Sequence, residues 1–190
     1  MDAAVATAFA LAVTHPSAGN IGGGGFLVFR PAEGEPIAFD FREMAPAKAT
    51  DTMWLESGEY RYERHHLSHL SVGVPGTVAG LHMAWTEHGS LPWERLVEPA
   101  VRLATEGFEV TDGLSRSLDR TMERIGKHAA TKAQFTKNGE PYAAGDILKQ
   151  PDLAATLVRI AEKGVAGFYE GKTAELIEKE MMANGGLITR

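Results

Sequence analysis

The sequence predicts an α+β fold, mostly helical, with a few strands near its N-terminal end. Three observations lead there. An Ala-rich apolar run without Gly or Pro opens the chain, two short runs of β-branched and aromatic residues follow it, and from Thr77 onward helix starts and stops recur almost without interruption.

The opening run, "MDAAVATAFALAV", is apolar nearly all round and predicts a buried helix from about Ala3 to Val13, ended by His15 and Pro16. Next comes "SAGNIGGGGFLVFR". A phosphate-binding loop has a strand before its glycines and a helix after them, so that the anion meets the positive end of the helix dipole. Here the order is reversed, and neither G-x-G-x-x-G nor G-x-x-x-x-G-K-[ST] fits any frame of Gly19 to Gly25. The glycines are expected instead to permit positive φ or close backbone packing where the chain enters a strand. "FLVF" (Phe26 to Phe29) and "IAFDF" (Ile37 to Phe41) predict two strands joined by the "EGEP" turn.

From Arg42 to His69 the chain reads as an irregular surface excursion, with Pro46, a Ser57-Gly58 turn and no sustained apolar period. "LSVGVPGTVAGLHMAWTEHG" then predicts a short strand, a Val74-Pro75-Gly76 turn and a helix from Thr77 to His88 closed by Gly89. "LPWERLV" starts a helix with Pro in its first turn, Glu98-Pro99 restarts a second, and Gly107 stops it. Further helices fit Asp112 to Ile125, Asp152 to Lys163 and Lys172 to Ala183, the last ending at Asn184-Gly185-Gly186. Asn138-Gly139 marks a turn or hairpin between them. So few strands cannot close a sheet, and any larger sheet they join takes its other strands from elsewhere. The chain therefore reads as part of a protein, an expectation that the core helix directly after Met1 and the ending "GGLITR" share.

At 190 residues one domain is expected. The formal charge of −6, from 19 Lys+Arg against 25 Asp+Glu, offers no basic face to nucleic acid or anionic lipid. Zero cysteines exclude disulfides, thiolate nucleophiles and Cys-based metal sites. The longest apolar run, about a dozen residues, is too short to span a bilayer, and it lacks the basic start of a signal peptide. Neither nucleic acid nor a membrane segment is expected.

Among seven histidines, His65, His66 and His69 form the only cluster. His65 and His69 stand at i, i+4, but the Glu that H-E-x-x-H chemistry needs is missing, so no metal is expected. His15 and His88 each sit at a helix C-terminus, where the dipole favours an imidazolium. Ser17, Ser68, Ser71 and Thr77 lack a nucleophile context, so no catalytic residue is expected in this chain. Arg42, in "DFREMAP" just past the second strand and beside the glycine loop, is placed to grip a carboxylate with its planar fork. A salt bridge to Asp40 or Glu43 is the alternative, and the residues alone leave both open.

"DAAVATAFALAV", "NIGGGGFLVF", "DFREMAPAKAT", "LSVGVPGTVAGL", "LPWERLVEPAVRLATEGFEV", "QPDLAATLVRIAEKGVAGFYEG" and "NGGLITR", in order from Asp2 to Arg190, resemble the large-subunit segment of the gamma-glutamyltranspeptidase family. The resemblance implies an N-terminal-nucleophile hydrolase that cleaves itself. Residues 1–190 would be the large-subunit portion of a single αββα sandwich completed by a small subunit. That small subunit would carry the Thr nucleophile, which lies outside this chain, so this segment alone would be inactive. The donor implied is glutathione or another γ-glutamyl amide, and the acceptor is water, an amino acid or a peptide, with no cofactor and no metal. In the family's D-x-R-E motif the Arg binds the α-carboxylate of the γ-glutamyl group, which implies that role for Arg42. A periplasmic or secreted location is a family expectation. Two rival readings remain: a cephalosporin (glutaryl) acylase of the same superfamily, whose substrate keeps the carboxylate, and a non-catalytic structural or binding protein.

Overall fold

The computed structural model describes residues 1–190. Helix α1 (Asp2–Thr14) leads into the glycine loop. Strands β1 (Phe26–Phe29) and β2 (Ile37–Asp40) then pair antiparallel, Phe26 opposite Asp40 and Phe29 opposite Ile37. Gly25 and Phe41 exchange backbone hydrogen bonds of 3.3 and 3.0 Å, so the ladder reaches Phe41 as the "IAFDF" run predicted.

The segment expected to be irregular is more ordered than its sequence suggests. A small hairpin, β3 (Leu55–Glu56) with β4 (Glu59–Tyr60), turns at Ser57-Gly58, whose φ values are 54° and 81°. Helix α2 (Tyr62–His66) and a 3₁₀ turn at His69–Ser71 follow. That turn replaces the strand expected in "LSV". Only Val74 pairs, in an isolated antiparallel bridge to Met44. Ser68 explains the difference, because its hydroxyl accepts from the Leu70 amide at 3.2 Å and bends the chain into a turn.

Helices α3 (Thr77–His88) and α4 (Trp93–Glu106) come next. The expected restart at Glu98-Pro99 does not occur, and α4 runs unbroken through Pro99. Its buried stripe, Trp93, Leu96, Val97, Ala100 and Ala104, continues past the proline. Arg95, whose carbonyl loses its partner, is exposed and Pro99 half-buried, so the missing bond falls where water reaches.

The remainder is not wholly helical either. β5 (Phe108–Glu109), α5 (Asp112–Ile125), α6 (Ala129–Phe135), β6 (Thr136–Lys137), β7 (Glu140–Pro141) and β8 (Ile147–Leu148) precede α7 (Pro151–Lys163), α8 (Ala166–Tyr169) and α9 (Gly171–Asn184). β6 and β7 form the hairpin announced by Asn138-Gly139, both at positive φ. β5 pairs with β8 across nearly forty residues, a pairing that two-residue strands do not signal in sequence. Strands thus occur along the whole chain, in four separate two-stranded ladders, and not only near the N-terminus.

The core lies where α4 packs between α1 and α7. Val5, Phe9 and Val13, one helical turn apart, are wholly buried, as are Val97, Ala100, Leu157 and Ile160. Phe9 meets the Trp93 ring edge-on at 5.5 Å, and the Trp93 indole donates to the Ile160 carbonyl at 2.8 Å, which satisfies its one buried polar atom. No helix is long and apolar enough to cross a membrane.

Candidate substrate-binding site

The second strand ends at Asp40, whose carboxylate accepts the Arg42 backbone amide at 3.0 Å. Aspartate side chains commonly accept an amide two residues on and bend the chain there. The bend carries the Arg42 side chain outward, to an exposed position. The salt bridge to Asp40 or Glu43 weighed as an alternative does not form, and Arg42 is ion-paired to no carboxylate of the chain. Its guanidinium carbon lies 6.0 Å from the centre of the Phe26 ring, at the limit of a cation–π contact. It borders an open groove of about 640 Å³ whose walls include Pro46, Met53, Trp54 and Val72.

What fixes the backbone at Arg42 is a set of glycines. A Cβ on Gly24 would stand 2.4 Å from the Phe41 carbonyl oxygen, and one on Gly76 only 2.0 Å from the same atom. On Gly80 it would enter the Phe41 ring at 2.2 Å, and on Gly73 it would meet the Glu43 Cβ at 2.7 Å. None of Gly22 to Gly25 adopts positive φ, so the glycine run serves close approach and not backbone handedness. Gly22 is the exception, with open space where its side chain would be.

The start of α3 is spent on this loop. The Gly76 and Thr77 amides donate to the Gly23 carbonyl at 2.7 and 3.0 Å. Asn20 Oδ1 accepts from the Gly23 amide at 2.9 Å and from the Thr77 hydroxyl at 2.7 Å. Helix N-terminal donors that meet a backbone carbonyl are not free to hold a phosphate. On the far side, the Tyr169 hydroxyl donates to the Pro75 carbonyl at 2.8 Å and accepts from the Ala79 amide at 3.3 Å. Burial pushes the Tyr169 phenol up from its ordinary value, which keeps the donor protonated. Sequence reasoning missed Tyr169, Gly73, Gly76 and Gly80, since nothing local marks a residue whose partner is remote in the chain.

The histidine cluster separates into two groups. His65 Nδ1 and His66 Nε2 lie 2.9 and 3.1 Å from the Tyr60 hydroxyl, whereas His69 Nε2 lies 3.2 Å from Glu180 Oε1. Helix α2 stops at His66, so His65 and His69 share no helical face. His88 ends α3 against Phe29 and Phe39, with ring centres 4.8 and 6.0 Å away, and its shielded Nε2 has no hydrogen-bond partner. The Ser68 and Ser71 hydroxyls donate to the Arg64 and Ser68 carbonyls, each at 2.6 Å, and form no pair with an imidazole.

The family described as gamma-glutamyltranspeptidase matches residues 1–190. A glutathione hydrolase proenzyme of Escherichia coli (strain K12) is 50% identical over all of this chain, which covers 33% of that protein. A crystal structure of Helicobacter pylori gamma-glutamyltranspeptidase superposes with a TM-score of 0.96 at 46% identity, over 99% of this chain and 54% of that one. A cephalosporin acylase structure from Bacillus halodurans superposes with a TM-score of 0.85 at 27% identity, over 99% of this chain and 36% of that one. The chain spans about a third of the length of the curated relatives it matches.

Proposed function

This chain belongs to the gamma-glutamyltranspeptidase family, and we propose that it is the large-subunit part of an enzyme that transfers or hydrolyses the γ-glutamyl group of glutathione and related γ-glutamyl amides. The observation that carries this reading is Arg42, an unpaired guanidinium held beside a groove by the glycine-packed Phe41–Glu43 backbone. A bidentate pair between Arg42 and the substrate α-carboxylate would fix the γ-carbonyl at a set distance from the nucleophile. An N-terminal Thr of a second, small subunit is the nucleophile in this proposal. It displaces the amine of the donor to give an acyl-enzyme, which water, an amino acid or a peptide then resolves. Residues 1–190 would form one αββα domain jointly with that subunit.

A glutaryl acylase is the second reading, favoured by the likeness to the cephalosporin acylase, since a glutaryl group offers Arg42 the same carboxylate without the amine. The test uses the complete two-subunit protein. Truncating one partner of a desolvated charge pair costs about 2–5 kcal/mol, so Arg42→Ala should lower kcat/KM by roughly 30-fold to a few thousand-fold. Arg42→Lys should restore part of it, because an ammonium cannot make two parallel bonds. Wild type should prefer a γ-glutamyl amide strongly over the 4-aminobutanoyl amide, which lacks the carboxylate, and Arg42→Ala should lose that preference. An unchanged preference in a normally matured variant would refute the assignment. A wild type faster on glutaryl than on γ-glutamyl amides would favour the second reading.

A further inference from the structure

Five basic side chains from two separate parts of the chain line one open groove of about 610 Å³. His66, at the end of α2, and His69, in the 3₁₀ turn, come from one part. Arg124 in the last turn of α5, Lys127 just after it, and His128 at the start of α6 come from the other. Arg124, Lys127, His66 and His128 are ion-paired to no carboxylate of the chain. The one carboxylate set against the cluster is Glu180 of α9, 3.2 Å from His69 Nε2.

In a chain of formal charge −6, two unpaired cationic side chains, Arg124 and Lys127, gathered with three imidazoles in one concavity are not what composition predicts. The dipole of α5 accounts for Arg124 at its C-terminal end. It does not account for imidazoles brought from α2 and the 3₁₀ turn. The His69 and His128 ring centres lie 6.3 Å apart, which brings imidazoles from both parts of the chain to one stretch of the groove lining.

We propose that this groove binds a small multivalent oxyanion, a compact ligand with two or more negative charges of either oligocarboxylate or phosphate type. Guanidinium, ammonium and imidazole N–H donors from two sides suit a ligand that presents several acceptor oxygens to different directions. The proposal stands on this geometry and does not depend on the enzymatic reading.

Calorimetric titration of the complete protein with tricarballylate and with inorganic phosphate tests it, with sodium chloride at matched ionic strength as the reference. One saturable site for at least one probe is expected, and the tighter probe identifies the ligand type. The double variant Arg124→Gln/Lys127→Gln should weaken that binding by about tenfold or more, since it removes charge-assisted hydrogen bonds. Glu180→Gln, which removes the competing carboxylate, should tighten it. No saturable heat from either probe, or affinities unmoved by both variants, would overturn the proposal.

Discussion

Gly24 and Gly76 both press on the Phe41 carbonyl, one residue before Arg42, and that contact sets where the guanidinium starts from. The atom met by a Cβ on Gly76 is backbone, which cannot swing aside as a side chain could. Gly76→Ala should therefore destabilise the protein by roughly 1–3 kcal/mol, the usual cost of overpacking, and raise KM for a carboxylate-bearing substrate. Gly22→Ala, with nothing within 4 Å, should do neither. Denaturant titration of both variants checks this, and a Gly76→Ala protein as stable as wild type would show that the loop yields. At this scale the sequence was half legible. "GGGG" and "DFRE" stood out locally, but which backbone the glycines met depended on Gly73, Gly76 and Gly80, isolated glycines more than thirty residues downstream. The fate of Arg42 turned on Asp40 in the same way. As an ion-pair partner it would have occupied the guanidinium; as a turn-former two residues earlier it accepts the amide and leaves the side chain free.

Elements are tied together here by a few polar contacts at their ends. Asp2, in the first turn of α1, accepts from the Ser90 hydroxyl at 2.6 Å, from the Ser90 amide at 3.0 Å and from the Leu91 amide at 3.2 Å, just ahead of α4. The Ser90 hydroxyl above all, then its amide, hold the Asp2 carboxyl below its ordinary value of 3.8. A depressed carboxyl contributes stability above its unfolded value and loses it as pH falls through the folded one. Asp2→Asn should accordingly speed hydrogen exchange at the Ser90 and Leu91 amides at neutral pH, and its difference from wild type should shrink as pH drops below 3.8. Equal exchange at neutral pH would remove the tether from the account. Pro99 gives a second test. It occupies a helix interior, where proline costs about 3 kcal/mol relative to alanine, part of it offset by a stiffer unfolded chain. Pro99→Ala should raise stability by about 2 kcal/mol, and a loss on thermal unfolding would mean that the ring itself packs usefully. Long elements were legible for different reasons: α1 as an unbroken Ala-rich apolar run ended by His15-Pro16, α3 and α7 as helix-forming stretches closed by Gly89 and Gly164. The break expected at Pro99 was not, because propensity lost to a buried stripe shared with two neighbours, and β5–β8 was invisible because two-residue strands have no period.

Across the whole molecule, the helical core is closed and the β1–β2 ladder is not. Side chains alternate along it: Phe39 is buried on one face, whereas Phe26 is 63% and Val28 73% exposed on the other, with exposed Ala38 opposite Val28. Exposed Met44 continues the apolar character past Arg42. An open apolar sheet face with unpaired edges invites association, and a partner that covers it would also reach the guanidinium beside Phe26. Residues 1–190 expressed alone should therefore bind a hydrophobic dye, scatter light as concentration rises and show no hydrolase activity. The double variant Phe26→Ser/Val28→Thr should reduce both dye binding and scattering in the isolated chain, because it removes the two most exposed apolar groups of the strand without touching the α1–α4–α7 core. On the two-subunit reading proposed above, the same variant in the complete protein should impair assembly with the small subunit, read as free large subunit on size-exclusion chromatography. An isolated chain that stays monodisperse without binding dye would show that the β1–β2 face needs no cover. Assembly undisturbed by the double variant would place the subunit contact elsewhere on the molecule.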